Sequence, residues 1–287
     1  MSLKKVFIYV IGTSQDGGYP HLGCKEECCQ MAWNNPLVKR FPSSIALVDM
    51  NVRKYWLFDI TPEVKEQIHM LDAFECELAG VFITHAHIGH YMGLINFGLE
   101  VMNLNSIPVY VMPKMKDYIQ KNSMFSQLIK NKNIILNSLN DNQDIIINEN
   151  FSVKPFQVPH RNELSETVGF MIKGSEKSII YLPDIDSWKN FKNALFELIK
   201  YNNLLFLDGT FYSKKEIKNR DISRIPHPEI IDTMRMLSHL KENDKKKIYF
   251  IHLNHTNDAL REDSNIYDDI IKNGFLISKE KQLFNIN

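Results

Sequence analysis

Residues 79–94 read AGVFITHAHIGHYMGL, an apolar run that closes on three of the chain's ten histidines, His85, His87 and His90, within six residues. The two-residue alternation of an extended segment puts His85 and His87 on one face. Gly89 eases the turn that brings His90 round after them. A strand that ends this way delivers its last side chains to one rim of a sheet, where polar groups converge without entering the core. A lone histidine in such a place is most often a satisfied, half-buried side chain. Three together point to a metal site.

The placement recurs along the chain. His160 follows FQVP (156–159), Asp184 follows IIYLP (179–183), Asp208 follows LLFL (204–207) and His252 follows IYFI (248–251). Each is a polar residue closing an apolar, strand-like run. His69 and His239 fall in helical patterns and read as ordinary helix residues, while His21 lies beside a cysteine cluster and stays open.

Other short runs, such as KVFIYVI, SSIALVD, KYWLFDI, IPVYVM and VGFMIK, also have strand character. Helical spacing marks residues 61–72, 113–122, 188–202 and 226–244. Strands in clusters, broken by a few helices, predict one α/β sandwich over residues 1–287 with helices on its outer faces. Its two pseudo-symmetric halves would cover about 1–140 and 141–287, with the Asn/Lys/Asp-rich segment 131–150 as a surface connection holding one short strand.

Composition narrows the function classes. Thirty-four basic and 34 acidic residues cancel, so no global field recruits nucleic acid or an anionic membrane. The opening MSLKKVFIYVIG carries lysines before an apolar run, but the run stops at Gly12 without a small-residue cleavage pattern and reads as a first strand. No apolar segment approaches the ~20 residues needed to span a bilayer, so a cytoplasmic protein is expected, with a homodimer left open. Three of the four cysteines, Cys24, Cys28 and Cys29, fall within six residues, with Cys76 apart. That cluster reads as a metal site or as a reduced, buried group rather than a disulfide framework.

The order of a strand, T-H-x-H-x-x-H, then His, Asp and His at later strand ends resembles the metallo-β-lactamase fold superfamily. GTSQDGGYPHLGCKEECC (12–29), PSSIALVD (42–49), LFLDGTFYSKKEI (205–217), IPHPEI (225–230) and FIHLNHTNDAL (250–260) look like the pyrroloquinoline quinone biosynthesis protein B group. The cysteine segment and the late His-x-x-His are also similar to the phosphoribosyl cyclic phosphodiesterase branch. The resemblance implies a four-layer αββα sandwich of the metallo-β-lactamase type, with one or two ions, usually zinc, at the sheet edge. It implies His85, His87 and His160 around a first ion, His90 and His252 around a second, and Asp184 bridging. It also implies a structural zinc on Cys24, Cys28, Cys29 and His255, and the three-residue step from His252 to His255 lets one face each site.

Two departures stand out. The family's second ion takes an Asp immediately before the third histidine, where this chain has Gly89. The relatives' structural zinc uses C-x-C-x-x-C, and here Glu26 holds the middle place, so Cys28 or Glu26 completes that site. The missing carboxylate predicts a weaker second site, more net positive charge and open space beside the ion.

Three histidines and an open position suffice for a catalytic zinc whose bound hydroxide, at a pKa of ~7, attacks phosphorus or carbonyl carbon. The expected function is therefore a metallo-hydrolase acting on a phosphodiester or another small anionic ester, with iron or manganese as alternative ions. Asp184 and His227 are the candidate catalytic residues. His227 either protonates the leaving group, binds a substrate anion or simply precedes a helix. Asp208 either supports a ligand histidine or caps its own turn. Two competing readings are an iron-dependent oxidative or hydroxylating enzyme of the pyrroloquinoline quinone type, and a binding protein with weakened catalysis.

Overall fold

Along β1 (Val6–Gly12) successive side chains point to opposite faces, and both faces are apolar. Phe7 and Ile11 join one cluster, whereas Val6, Ile8 and Val10 join another. In β2 (Ser44–Asp49) Ala46 and Val48 side with the first and Ile45 and Leu47 with the second. Strands buried on both faces belong to a sheet covered on both sides.

The computed structural model describes residues 5–217 and 225–287; Lys4, one of the two lysines opening the chain, lies outside them. The remaining strands are β3 (Lys54–Phe58), β4 (Glu77–Phe82), β5 (Ile107–Val111), β6 (Ile134–Ser138), β7 (Ile145–Asn148), β8 (Phe151–Gln157) and β9 (Val168–Lys173). They continue with β10 (Ser178–Leu182), β11 (Leu204–Asp208), β12 (Ile248–Ile251), β13 (Leu276–Ile277) and β14 (Leu283–Asn285). They form two seven-stranded mixed sheets, ordered β14-β1-β2-β3-β4-β5-β6 and β13-β12-β11-β10-β9-β8-β7. The strand β14 returns from the end of the chain to pair with β1.

The helices are α1 (Glu27–Asn34), α2 (Val64–His69), α3 (Ile88–Tyr91), α4 (Pro113–Lys121), α5 (Ser123–Lys130), α6 (Lys192–Tyr201), α7 (Ile230–Met236), α8 (Glu242–Lys245) and α9 (Asn265–Lys272). Three apolar clusters separate four layers. Val64, Met115, Ile119 and Phe125 seat α2, α4 and α5 on the first sheet. Ala32, Leu195, Ile199, Ile230 and Ile270 seat α1, α6, α7 and α9 on the second. Between the sheets, Phe58 stacks on Phe82 with ring centroids 4.9 Å apart, and Phe170 from the opposite sheet meets both edge-on at 5.5 and 5.6 Å. The four-layer αββα sandwich follows.

Two expectations need correction. The helical pattern over 226–244 is two helices, because Leu237 leaves helical geometry (φ −98°, ψ 7°) and Lys241 is extended (φ −63°, ψ 149°) before α8. No proline or glycine marks that break, so periodicity alone runs through it. The segment 131–150 holds two strands, β6 and β7, which form the edges of the two sheets.

Candidate metal centre

Strands β3 and β4 are parallel, and β8, β10, β11 and β12 all run in one direction. Their C-terminal ends therefore deliver side chains to a common edge of the sandwich. Pro159 and Pro183 end the ladders of β8 and β10 just before His160 and Asp184, since proline has no N–H to donate. His252 leaves β12 in the left-handed region (φ 65°), an uncommon conformation for a non-glycine residue and one that gathers at functional sites.

His85, His87, His160 and Asp184 converge there, together with His90 and His252. Asp184 Oδ2 lies 3.3 Å from His85 Nε2 and 3.3 Å from His160 Nε2. His87 Nδ1 lies 2.8 Å from His85 Nε2 and 3.2 Å from His160 Nε2. Four donors ~2.0–2.1 Å from a tetrahedral zinc sit ~3.3 Å from one another, so this set has the span of a first coordination sphere. Asp184 Oδ2 is also 4.0 Å from His90 Nε2, which puts one carboxylate between two groups of histidines.

The far nitrogens of three of these rings are already hydrogen-bonded. His85 Nδ1 lies 2.9 Å from Thr84 Oγ1, His90 Nδ1 2.8 Å from Asp59 Oδ2 and His252 Nδ1 2.9 Å from Thr210 Oγ1, whereas His160 Nδ1 stands 2.7 Å from Asp186 Oδ1 without hydrogen-bond alignment. Such partners fix the tautomer and leave Nε2 as a lone-pair donor, as metal-ligating histidines require. His90 Nε2 and Asp184 Oδ1 are buried without a hydrogen-bond partner. Buried polar atoms are otherwise almost always satisfied, so the residues fit a cation placed among them. Electrostatics agrees. Burial works against an imidazolium at His90, yet the Asp59 and Asp16 carboxylates hold it well above the usual histidine range. For Asp184, burial would raise the carboxyl, but the imidazoles of His227 and His160 hold it well below.

The expectation of open space beside Gly89 is overturned. Asp16, from the loop between β1 and α1, occupies that space, its Oδ1 3.3 Å from both His90 Nε2 and His252 Nε2. The second group is thus Asp16, His90 and His252, and the expected loss of one negative charge does not occur. Sequence reasoning missed Asp16, Asp59 and Asp186. Asp59 closes KYWLF as the other site residues close their strands, so the same rule could have found it; Asp16 carries no such signal in its glycine-rich loop.

Asp208 caps its own turn, and the histidine it holds is the candidate catalytic His227 rather than one of the expected ligands. Its Oδ1 accepts from the Thr210 N–H and hydroxyl, capping the turn, and its Oδ2 accepts from Ile185 N–H at 3.0 Å and lies 2.8 Å from His227 Nδ1. The His227 side chain is buried beside the centre, with Nδ1 3.4 Å from Asp184 Oδ1. Burial disfavours its charged form, but Asp208 and Asp184 push its pKa up to about 9.

Behind the centre, Cys24, Cys28, Cys29 and His255 gather their donor atoms, with Cys24 Sγ 3.7 Å from Cys28 Sγ. Glu26 is exposed at the N-cap of α1 and lies outside the group. Cys28 and Cys29 lie in the first turn of α1, and Cys24 from the preceding loop and His255 from beyond β12 come to them. Burial pushes the Cys29 thiol up to about 12, so without a cation that thiol stays protonated. His21 stacks on His255 with ring centroids 4.3 Å apart. His69 pairs with Asp72 at 2.8 Å on the surface and His239 packs on Phe196, both remote from the centre.

Residues 56–253 match the family model described as the beta-lactamase superfamily domain, and the chain belongs to that superfamily. Among curated relatives it is similar to coenzyme PQQ synthesis protein B of Methylorubrum extorquens (strain PA1), 22% identical over 306 residues covering 95% of this chain and 97% of that protein. Among solved structures, Zn(2+)-bound PqqB from Methylobacterium extorquens superposes with a TM-score of 0.81 at 20% identity, covering 97% of this chain and 99% of that one. A diphosphatase of the PhnP family gives 0.70 at 19% identity over 98% and 96%. Among the described residues, no helix is long and apolar enough to cross a membrane.

Proposed function

We propose that the protein is a metal-dependent hydrolase of small anionic esters, phosphodiesters above all, with zinc in the active centre and at the cysteine cluster. The observation that carries this reading is the convergence of one ring nitrogen each from His85, His87 and His160 with the Asp184 carboxylate on one sheet edge. When bound, the ions would supply a Lewis acid and a nucleophile generated from water at neutral pH. Two divalent ions against the two carboxylates Asp16 and Asp184 leave the centre net positive, which favours an anionic substrate. Asp184 holds the two histidine groups in register through Oδ2. His227, tied through Nδ1 to Asp208, keeps Nε2 as the atom that donates a proton to the leaving oxygen. A cavity of about 480 Å³ lined by Lys114, Tyr118, Lys121, Asn122 and Glu163 adjoins the centre, since Glu163 Oε1 is 3.9 Å from His87 Nε2. Asp117 also lines it and pairs with Lys121 at 2.6 Å, so two lysines there face two carboxylates.

The test is turnover by zinc-loaded protein across a phosphodiester, a carboxylic ester and a lactam. Phosphodiester cleavage that falls at least ~10³-fold in His87→Ala supports the reading; metal-replete protein that turns over none of the three overturns it. A second reading draws on the near full-length similarity to coenzyme PQQ synthesis protein B. Three histidines with a carboxylate also accommodate Fe(II), which would serve an oxidative step on a tyrosine-containing substrate. Anaerobic iron loading followed by oxygen-uptake measurement tests it, and absence of uptake excludes it.

A further inference from the structure

We propose that Asp16 is a ligand of the second ion, supplied by the loop between β1 and α1 in place of the carboxylate that Gly89 lacks. The inference rests on the metal-centre reading above. Residues 16 and 89 compete for one volume. A Cβ on residue 89 would lie 2.4 Å from Asp16 Oδ1, 2.5 Å from its Cγ and 2.7 Å from its Cα. Any side chain at 89 therefore collides with Asp16, and the glycine is what admits it. The carboxylate that enters is aimed as a ligand. Its Oδ1 stands 3.3 Å from each of two Nε2 atoms whose rings are locked from behind by Asp59 and Thr210. That spacing is the ~3.3 Å of donors around one tetrahedral ion.

Asp16 Oδ1 is hydrogen-bonded to His252 Nε2, yet His90 Nε2, equally near, has no aligned partner, as expected when it points at a third position beside the carboxylate rather than at it. The loop is also held rigidly enough to present a ligand. Gln15 N–H donates to Leu253 O and Leu253 N–H to Thr13 O, both at 2.9 Å, while Gly18 N–H closes a turn onto Gln15 O at 2.8 Å. The segment carrying Asp16 is thus bonded to the residue that follows His252. The result is a centre with three protein donors of its own per ion, His85, His87 and His160 on one side and Asp16, His90 and His252 on the other, and Asp184 between.

The test counts ions without substrate. Protein stripped by a chelator and reloaded with Zn²⁺ is analysed for metal per chain, and its affinities are measured by chelator competition. Wild type should hold two ions in the centre besides the one at the cysteines. Asp16→Asn should weaken the second centre ion at least ~10-fold and spare the other two, because a direct donor matters no less than the outer partners whose loss costs ~10–100-fold. Gly89→Ala should act in the same direction by displacing Asp16. Mn²⁺-loaded wild type should show the exchange-coupled resonance of an ion pair, and Asp16→Asn should not. Unchanged second-ion affinity in Asp16→Asn, or a single centre ion in wild type, overturns the proposal. A two-ion wild type with no hydrolysis would instead sink the hydrolase reading and leave this one standing.

Discussion

Asp59 illustrates how much a single buried carboxylate can organise. It sits in the left-handed region (φ 64°) just beyond β3 and accepts from the Thr84 N–H and hydroxyl, from the Tyr181 hydroxyl and from His90. Tyr181 belongs to the opposite sheet, so the residue that orients His90 also ties the two sheets at the site. Asp59→Asn keeps the shape but removes the charge that fixes His90 with Nε2 free. We expect the variant to fold and to bind the second ion ~10–100-fold more weakly, read by chelator competition with circular dichroism as the folding control. Its place at a strand end was legible in the sequence, but its partners were not, because they come from positions 25, 31 and 122 residues away.

Strand ends, rather than strand interiors, carry the chemistry, and the elements behind them hold those ends still. The turn before β14 is one such support. Glu280 accepts the Phe41 N–H at 2.6 Å, and the Phe41 carbonyl accepts the N–H groups of Thr13 and Ser14, which begin the Asp16 loop. Burial pushes Glu280 up to about 7 from 4.5, against the pull of the Phe41 N–H, Arg40 and Lys281. A carboxyl raised in the folded state binds its proton more tightly there than when unfolded. Its contribution is complete below pH 4.5 and is lost as pH rises through about 7. Wild type should therefore lose denaturant resistance between pH 5 and 8 more steeply than Glu280→Gln, as urea midpoints would show. Equal slopes would remove Glu280 from this account. Periodicity located α2, α4 and α6 and passed over α1 and α9, although both are longer than α2; β13 and β14, of two and three residues, are too short to carry a pattern and depend on the sheets they join.

At the level of the whole chain, the cysteine cluster joins distant segments. It gathers the start of α1 and the residues after β12, the same two segments that bring Asp16 and His252 to the centre. An ion held there would stabilise the fold and steady the second site together. Cys29→Ser should release that ion, lower Tm by roughly 5–10 °C and weaken the second centre ion. Metal analysis and calorimetry check both halves. A variant that keeps its Tm and all its metal would show the cluster to be a reduced, packed group.

Two properties were written locally in the chain. Short apolar runs in clusters, broken by segments of helical spacing, announced an α/β sandwich, and polar residues closing those runs announced a site, because both are local properties of the chain. The histidine cluster of residues 85–90 needed no tertiary information to be noticed. The identity of the second carboxylate did. Gly89 alone suggested a weakened site, since nothing near it in sequence replaces the missing acid. Folding brings Asp16 across 73 residues of chain into the volume that glycine leaves, as the 2.4 Å approach to its Oδ1 shows. A coordination sphere is a set of distances, and distances between strand ends exist only once the sheets have closed.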